Sequence, residues 1–180
     1  MPSEQPYICL IRGINVGGNN LLKMDALRAL CEACGLKGAK TYLQSGNVVF
    51  RSNLDRGKLT EKIEDGIRKS TGFEAKVILR TADELREVIA ANPFKSGRNP
   101  KALLVAFLGG AIGKDAEALL QKLKIESEEL HFGDRELYLY FPDGIAGSKL
   151  SNALTEKKIG VNVTARNWNT VTALLQLAES

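Results

Sequence analysis

The chain has 180 residues, 44% of them hydrophobic and 26% charged, with a formal net charge of +4. That size and balance mark a folded globular protein of one large domain or two small ones. No run approaches the ~20 apolar residues of a membrane span, and three cysteines are an odd number and too few for a disulfide scaffold.

At the start, Met1-Pro2-Ser3-Glu4-Gln5-Pro6 lacks a basic segment followed by an apolar run. It does not read as a signal peptide, so the cytoplasm is the expected compartment and no membrane partner is expected. Tyr7–Arg12 is β-rich and nearly continuous in apolar character, as a central buried strand is. Gly13–Asn20 carries three glycines and three asparagines and reads as a loop. Met24, Leu27, Leu30, Cys31 and Cys34 recur at helical spacing, with Gly35 as the stop. Lys40–Gln44 and Val48–Arg51 are short strands around the turn Ser45-Gly46-Asn47. Leu59, Ile63 and Ile67 mark a second helix, and Phe73–Arg80 a fourth strand.

Thr81 and Glu84 form a capping box at the head of a helix that stops at Asn92-Pro93. Lys101–Leu108 is again an apolar strand followed by glycines, and Ala116, Leu119, Leu120 and Leu123 a helical stripe. Glu129–Phe132 and Glu136–Phe141 flank a hairpin turn at Gly133-Asp134. Leu150 and Leu154 predict a helix, Val161–Ala165 a strand, and Val171, Leu174, Leu175 and Ala178 the last helix. The order is β-α-β-β-α-β written twice, each copy followed by a helix: an α+β, duplicated ferredoxin-like fold with two antiparallel sheets. Residues 1–80 form the first half. Residues 81–180 form the second, with the linking and C-terminal helices, and the two read as one compact unit.

Consecutive elements of this arrangement alternate direction. The loop after the first strand therefore shares one sheet edge with the first hairpin. Arg12, Asn15, Gly17 and Gly18 are placed beside Tyr42, Gln44, Ser45 and Asn47. In the second half Asn92-Pro93-Phe94, Gly144–Leu150 and Arg166–Thr170 fall on the edge opposite the hairpin.

Three stretches, Leu10–Gly18, Thr41–Phe50 and Arg166–Thr170, resemble the signatures of a mainly bacterial family, the domain of unknown function numbered sixteen ninety-seven. Asn92-Pro93-Phe94 and Ser148-Lys149-Leu150 match as well, so the resemblance spans nearly the whole chain. It implies a duplicated ferredoxin-like fold and brings no established activity. Where the family often has a basic residue after the paired glycines, this chain has Asn19 and Asn20.

Gly144–Lys149 follows a strand and opens a helix, so free N–H groups, the Ser148 hydroxyl and Lys149 suit an anion, although the spacing is not that of a P-loop. Ser148 serves equally as a helix cap. Arg12 and Arg166 are able to grip an anion bidentately or to clamp loops through carbonyls. Asn15, Gln44, Asn47, Asn167 and Asn169 are amides suited to ligand recognition, and also to caps and left-handed turns. Trp168, the single tryptophan, is a core anchor or a stacking platform. Cys31 and Cys34 close a helix without partners, so no metal site and no cofactor are expected.

These features support a binding protein for an anionic, phosphate-bearing small ligand such as a nucleotide, held in a cleft between the halves. Nucleic-acid binding through the same edges is the alternative partner class, although Ser45–Phe50 lacks the basic start and paired aromatics of an RNA-binding strand. A third reading is an enzyme of undetermined class at the same cleft. Oligomeric state is not encoded in any of these motifs.

Overall fold

A computed structural model of the chain describes residues 3–94 and 97–180. The chain opens with strand β1 (Gln5–Arg12), helix α1 (Met24–Ala33), strands β2 (Lys37–Tyr42) and β3 (Asn47–Ser52), helix α2 (Arg56–Thr71), strand β4 (Lys76–Thr81) and helix α3 (Ala82–Ala90). After a 3-10 turn at Pro100–Ala102 come β5 (Leu103–Leu108), α4 (Lys114–Gln121), β6 (Glu129–Phe132) and β7 (Glu136–Tyr140). Two short helices, α5 (Lys149–Ala153) and α6 (Glu156–Ile159), lead to β8 (Val163–Asn167) and α7 (Trp168–Glu179). The sheet orders are β2-β3-β1-β4 and β6-β7-β5-β8, one permutation used twice, with every pairing antiparallel. The expected duplicated ferredoxin-like fold is what the chain forms.

Two compact units divide the chain. One comprises Met1–Arg86 with Ala173–Ser180, the other Glu87–Thr172, so the boundaries fall inside α3 and α7. No helix of the described residues is long and apolar enough to cross a membrane.

In the first unit Leu59, Ile63 and Ile67 form one stripe of α2, and with Leu27 and Cys31 of α1 they bury Cys9, Ile11, Phe50 and Leu79 of the sheet. Ile8 and Leu10, on the other face of β1, are buried too. A strand buried on both sides needs no polar alternation, which is why Tyr7–Arg12 reads as one apolar run. In the second unit Ala116, Leu120, Leu150 and Ile159 cover Ala106, Leu108, Leu137 and Leu139.

Besides later starts of β4, at Lys76, and β5, at Leu103, the expected elements differ from those observed in three places. Gly38, at φ +61, accompanies a register shift between Lys37 and Lys40, so β2 starts earlier than its alternation suggests and leaves Leu43 and Gln44 in the turn. The β8 ladder continues through Val105↔Arg166 and Leu104↔Asn167, which puts both polar residues inside a strand rather than after it. The helix around Leu150 breaks at Leu154 and restarts after Thr155.

Candidate functional site

At the edge of the first unit, the loop after β1 and the β2–β3 hairpin meet as expected. Gly17 and Gly18, both at positive φ, close a miniature hairpin in which Val16 pairs with Asn19. Asn15 holds it: its Oδ1 accepts from Leu22 N, and its Nδ2 donates to Leu22 O at 2.8 Å and to Gln44 O at 2.9 Å. Ile11 N donates to Gly46 O, completing the join. Asn47 is fully buried, and its Nδ2 donates to Tyr42 O and to Ser45 Oγ. These amides build the edge. Arg12 is half-buried there, and Gln44 is exposed.

Ser148 and Lys149 line a cavity of about 270 Å³ together with Lys124, Glu126, Glu128 and Asp143. Ser148 caps α5 by accepting from Ser151 N. Its hydroxyl also holds the Glu128 carboxyl below the ordinary range, with the backbone N–H of Glu126 acting in the same sense. Three carboxylates face two lysines in this cavity, so its field disfavours a phosphate. The helix behind it has five residues.

Arg166 is buried, and its Nη1 donates to Thr164 Oγ1 at 2.7 Å and to Ala165 O at 2.9 Å. Asn167 caps α7 by accepting from Asn169 N, while its Nδ2 lies 3.1–3.2 Å from the carbonyls of Pro100 and Lys101. That clasp ties the head of α7 to the entry of β5 and sets the position of Trp168. Asn169 is exposed on the first turn.

Trp168 lines a second cavity, of about 460 Å³, with Ile89, Asn92, Phe94, Arg98 and Leu103. All of it belongs to the second unit. Each wall has a local cause. The Tyr138 hydroxyl donates to Val88 O at 2.6 Å and pins the end of α3; burial, then the nearby Glu136 and Asp134, raise that phenol above its ordinary range. Asn92 Oδ1 accepts from Phe94 N across Pro93, a turn that drives the Phe94 ring inward. Phe94 then packs edge-on to His131 at 5.0 Å and against Tyr140 at 5.7 Å. Arg98 stacks over Tyr140 at 4.8 Å and pairs with Glu129 at 2.7 Å.

The side-chain nitrogens left over in this cavity are all donors. Among the described residues, the indole N–H of Trp168 and the Asn92 amide nitrogen make no hydrogen bond. Arg98 keeps guanidinium N–H groups beyond its single ion pair. Among the described residues no carboxylate lines the cavity; that of Glu129 reaches it only through its pair with Arg98. Arg98 and the apolar wall were absent from the sequence reading, because Gly97–Pro100 looks like any polar turn and only the tertiary packing of Tyr140 and Glu129 gives Arg98 its place. Asn92-Pro93-Phe94 and Trp168 were the legible signal.

Elsewhere, Cys31 and Cys34 are free thiols. Burial, followed by Cys34 and Glu32, pushes Cys31 up to about 12, and burial raises Cys34. No group of three or more His, Cys, Asp or Glu among the described residues is placed to hold a metal ion.

Residues 5–138 match a family model described as a protein of unknown function, DUF1697. Eight solved chains are similar to this one. One is the structure of a conserved bacterial protein from Streptococcus pneumoniae, with a TM-score of 0.76 and 24% identity over 98% of this chain and 99% of that one. The likeness is one of fold. No curated protein matches the chain.

Proposed function

We propose that this chain, which belongs to the DUF1697 family, is a binding protein for a small anionic ligand held in the cavity of the second unit between Trp168, Asn92 and Arg98. One observation carries the reading: the Trp168 indole N–H, the Asn92 amide nitrogen and the Arg98 N–H groups beyond the Glu129 pair all donate toward one cavity, and none of the described residues that line it is acidic. A ligand rich in acceptors satisfies such a lining. The volume of about 460 Å³ falls within the roughly 300–1,000 Å³ of small-molecule sites.

The Trp168 emission is a built-in reporter, since the chain has a single tryptophan. Small carboxylates, phosphates and sulfonates titrated into the protein are expected to change that emission and raise Tm. Arg98→Ala is expected to weaken binding about tenfold or more, the scale of a charge-assisted hydrogen bond, with little change in Tm. Undiminished binding in both Arg98→Ala and Trp168→Phe would place the ligand elsewhere.

A further inference from the structure

The second unit keeps an aromatic ring where the first has a methyl group. In both copies an arginine, then a capping residue, close the last strand: Arg80-Thr81 at the end of β4 and Arg166-Asn167 at the end of β8. The two arginines hold equivalent places in their ladders, Ile8↔Arg80 and Val105↔Arg166, and both are buried. Thr81 Oγ1 accepts from Glu84 N, and Asn167 Oδ1 from Asn169 N. The residue that follows the cap is Ala82 in the first copy and Trp168 in the second. Since the same turn closes with alanine, the cap geometry itself does not require a tryptophan there.

Its surroundings answer a different demand. Tyr138, Phe107, Phe141, Phe94 and Tyr140 of this unit are buried and Phe132 is exposed, whereas Trp168 is half-buried, lines the cavity and takes part in no ring contact among the described residues. Ile89, Pro100 and Leu103 supply apolar walls to the same cavity. The indole N–H and the Asn92 amide offer donors to acceptors on a ring, and Arg98, oriented by Glu129 and Tyr140, offers one to an anion.

We infer that the ligand is a heteroaromatic anion whose flat ring stacks on Trp168 while its phosphate or carboxylate meets Arg98. This rests on the binding reading above and narrows its ligand class. The ring and the charge are separate requirements, so they are tested with separate probes. Calorimetric titrations would use 5′-AMP and nicotinate, which carry ring and anion, adenosine, which has the ring alone, and ribose 5-phosphate, which has the anion alone. The expected result is binding of a ring-bearing anion, with upfield ring-current shifts of its protons. Trp168→Leu should weaken that binding about 5- to 150-fold, the range of a base stacked on an aromatic side chain, and Trp168→Phe should recover part of it. Circular dichroism and Tm of each variant establish that it is folded. If ribose 5-phosphate binds as tightly as 5′-AMP and depends on Arg98, the stacked ring is refuted while anion binding stands. If neither ring-bearing anion nor ribose 5-phosphate binds at millimolar concentration, both readings fall.

Discussion

Leu43 exposes more than half of its side chain, yet holds its backbone at φ +56, a conformation about 1–2 kcal/mol unfavourable for a residue with a Cβ. Three residues on, Gly46 sits at φ +86, where an added methyl would lie 2.8 Å from Ile14 Cδ1 and 3.0 Å from Ile11 Cβ. The two positions therefore respond in opposite directions. Leu43→Gly is expected to leave stability unchanged or raise it by up to about 1 kcal/mol in urea unfolding, and Gly46→Ala to lower it by about 2 kcal/mol or more, from φ strain and the clash together. A large loss for Leu43→Gly would show that this side chain supports the edge after all. Cys31 makes a pH-dependent case. Its folded pKa, raised to about 12, lies above that of the unfolded thiol. The burial contribution is thus complete below the unfolded pKa of roughly 8.5 and is lost as pH rises from there toward the folded value, with a slope of at most about 1.4 kcal/mol per pH unit. Cys31→Ala, compared with the parent from neutral pH to pH 10, should flatten this decline even though it lowers the plateau. Identical slopes would mean that the thiol ionises as freely in the fold as outside it.

The capping box at α3 is reciprocal: Glu84 N donates to Thr81 Oγ1 at 3.2 Å, and Thr81 N to Glu84 Oε2 at 2.8 Å. Glu84 does more, accepting from Arg56 Nη2 through both oxygens at 2.6 Å and so tying the first turn of α2 to the first turn of α3. Thr81→Ala is expected to lower stability by about 1 kcal/mol. Glu84→Ala removes two links and should lower it further, with non-additivity in the Glu84→Ala/Arg56→Ala cycle of about 0.5 kcal/mol or more. Strict additivity would reduce the Arg56 contact to a surface pair of no consequence. The box was legible because its signal spans four residues of sequence. The strand order and the meeting of the β1 loop with the first hairpin were legible too, since alternation of direction dictates them once the elements are known. What local pattern could not convey was the end of β8, where a buried arginine and an asparagine continue a ladder that their polarity conceals, or the early start of β2, moved by a glycine bulge. Side-chain roles were harder still. Asn15, Asn47 and Asn167 look like recognition groups in sequence, and each makes contacts that hold loop backbone in place.

At the scale of the whole chain, the repeat boundary in sequence and the division in space do not coincide. A reading by element order separates residues 1–80 from 81–180, whereas the first compact unit also takes Ala173–Ser180 from the far end of the chain. Within that unit Glu179 accepts from Arg86 Nε and Nη2, closing the C-terminal end of α7 onto α3. Leu174 and Ala178 of the same stretch are buried. A chain ending at Thr172 would retain every strand and every residue of the Trp168 cavity, yet leave the first unit without its last helical turns. Its expected behaviour is a loss of several kcal/mol, because Leu174 alone accounts for about 2–5 kcal/mol on truncation to alanine. The Arg86–Glu179 pair, more than two-fifths exposed on both sides, adds little. The substitution Leu174→Ala in the full chain separates packing from mere length. If it reproduces most of the loss in urea unfolding while Glu179→Gln changes almost nothing, the C-terminal segment works as buried surface. Should the chain ending at Thr172 unfold at the same urea concentration as the full one, residues 173–180 would be an appendage, and the first unit would be complete in the continuous segment Met1–Arg86.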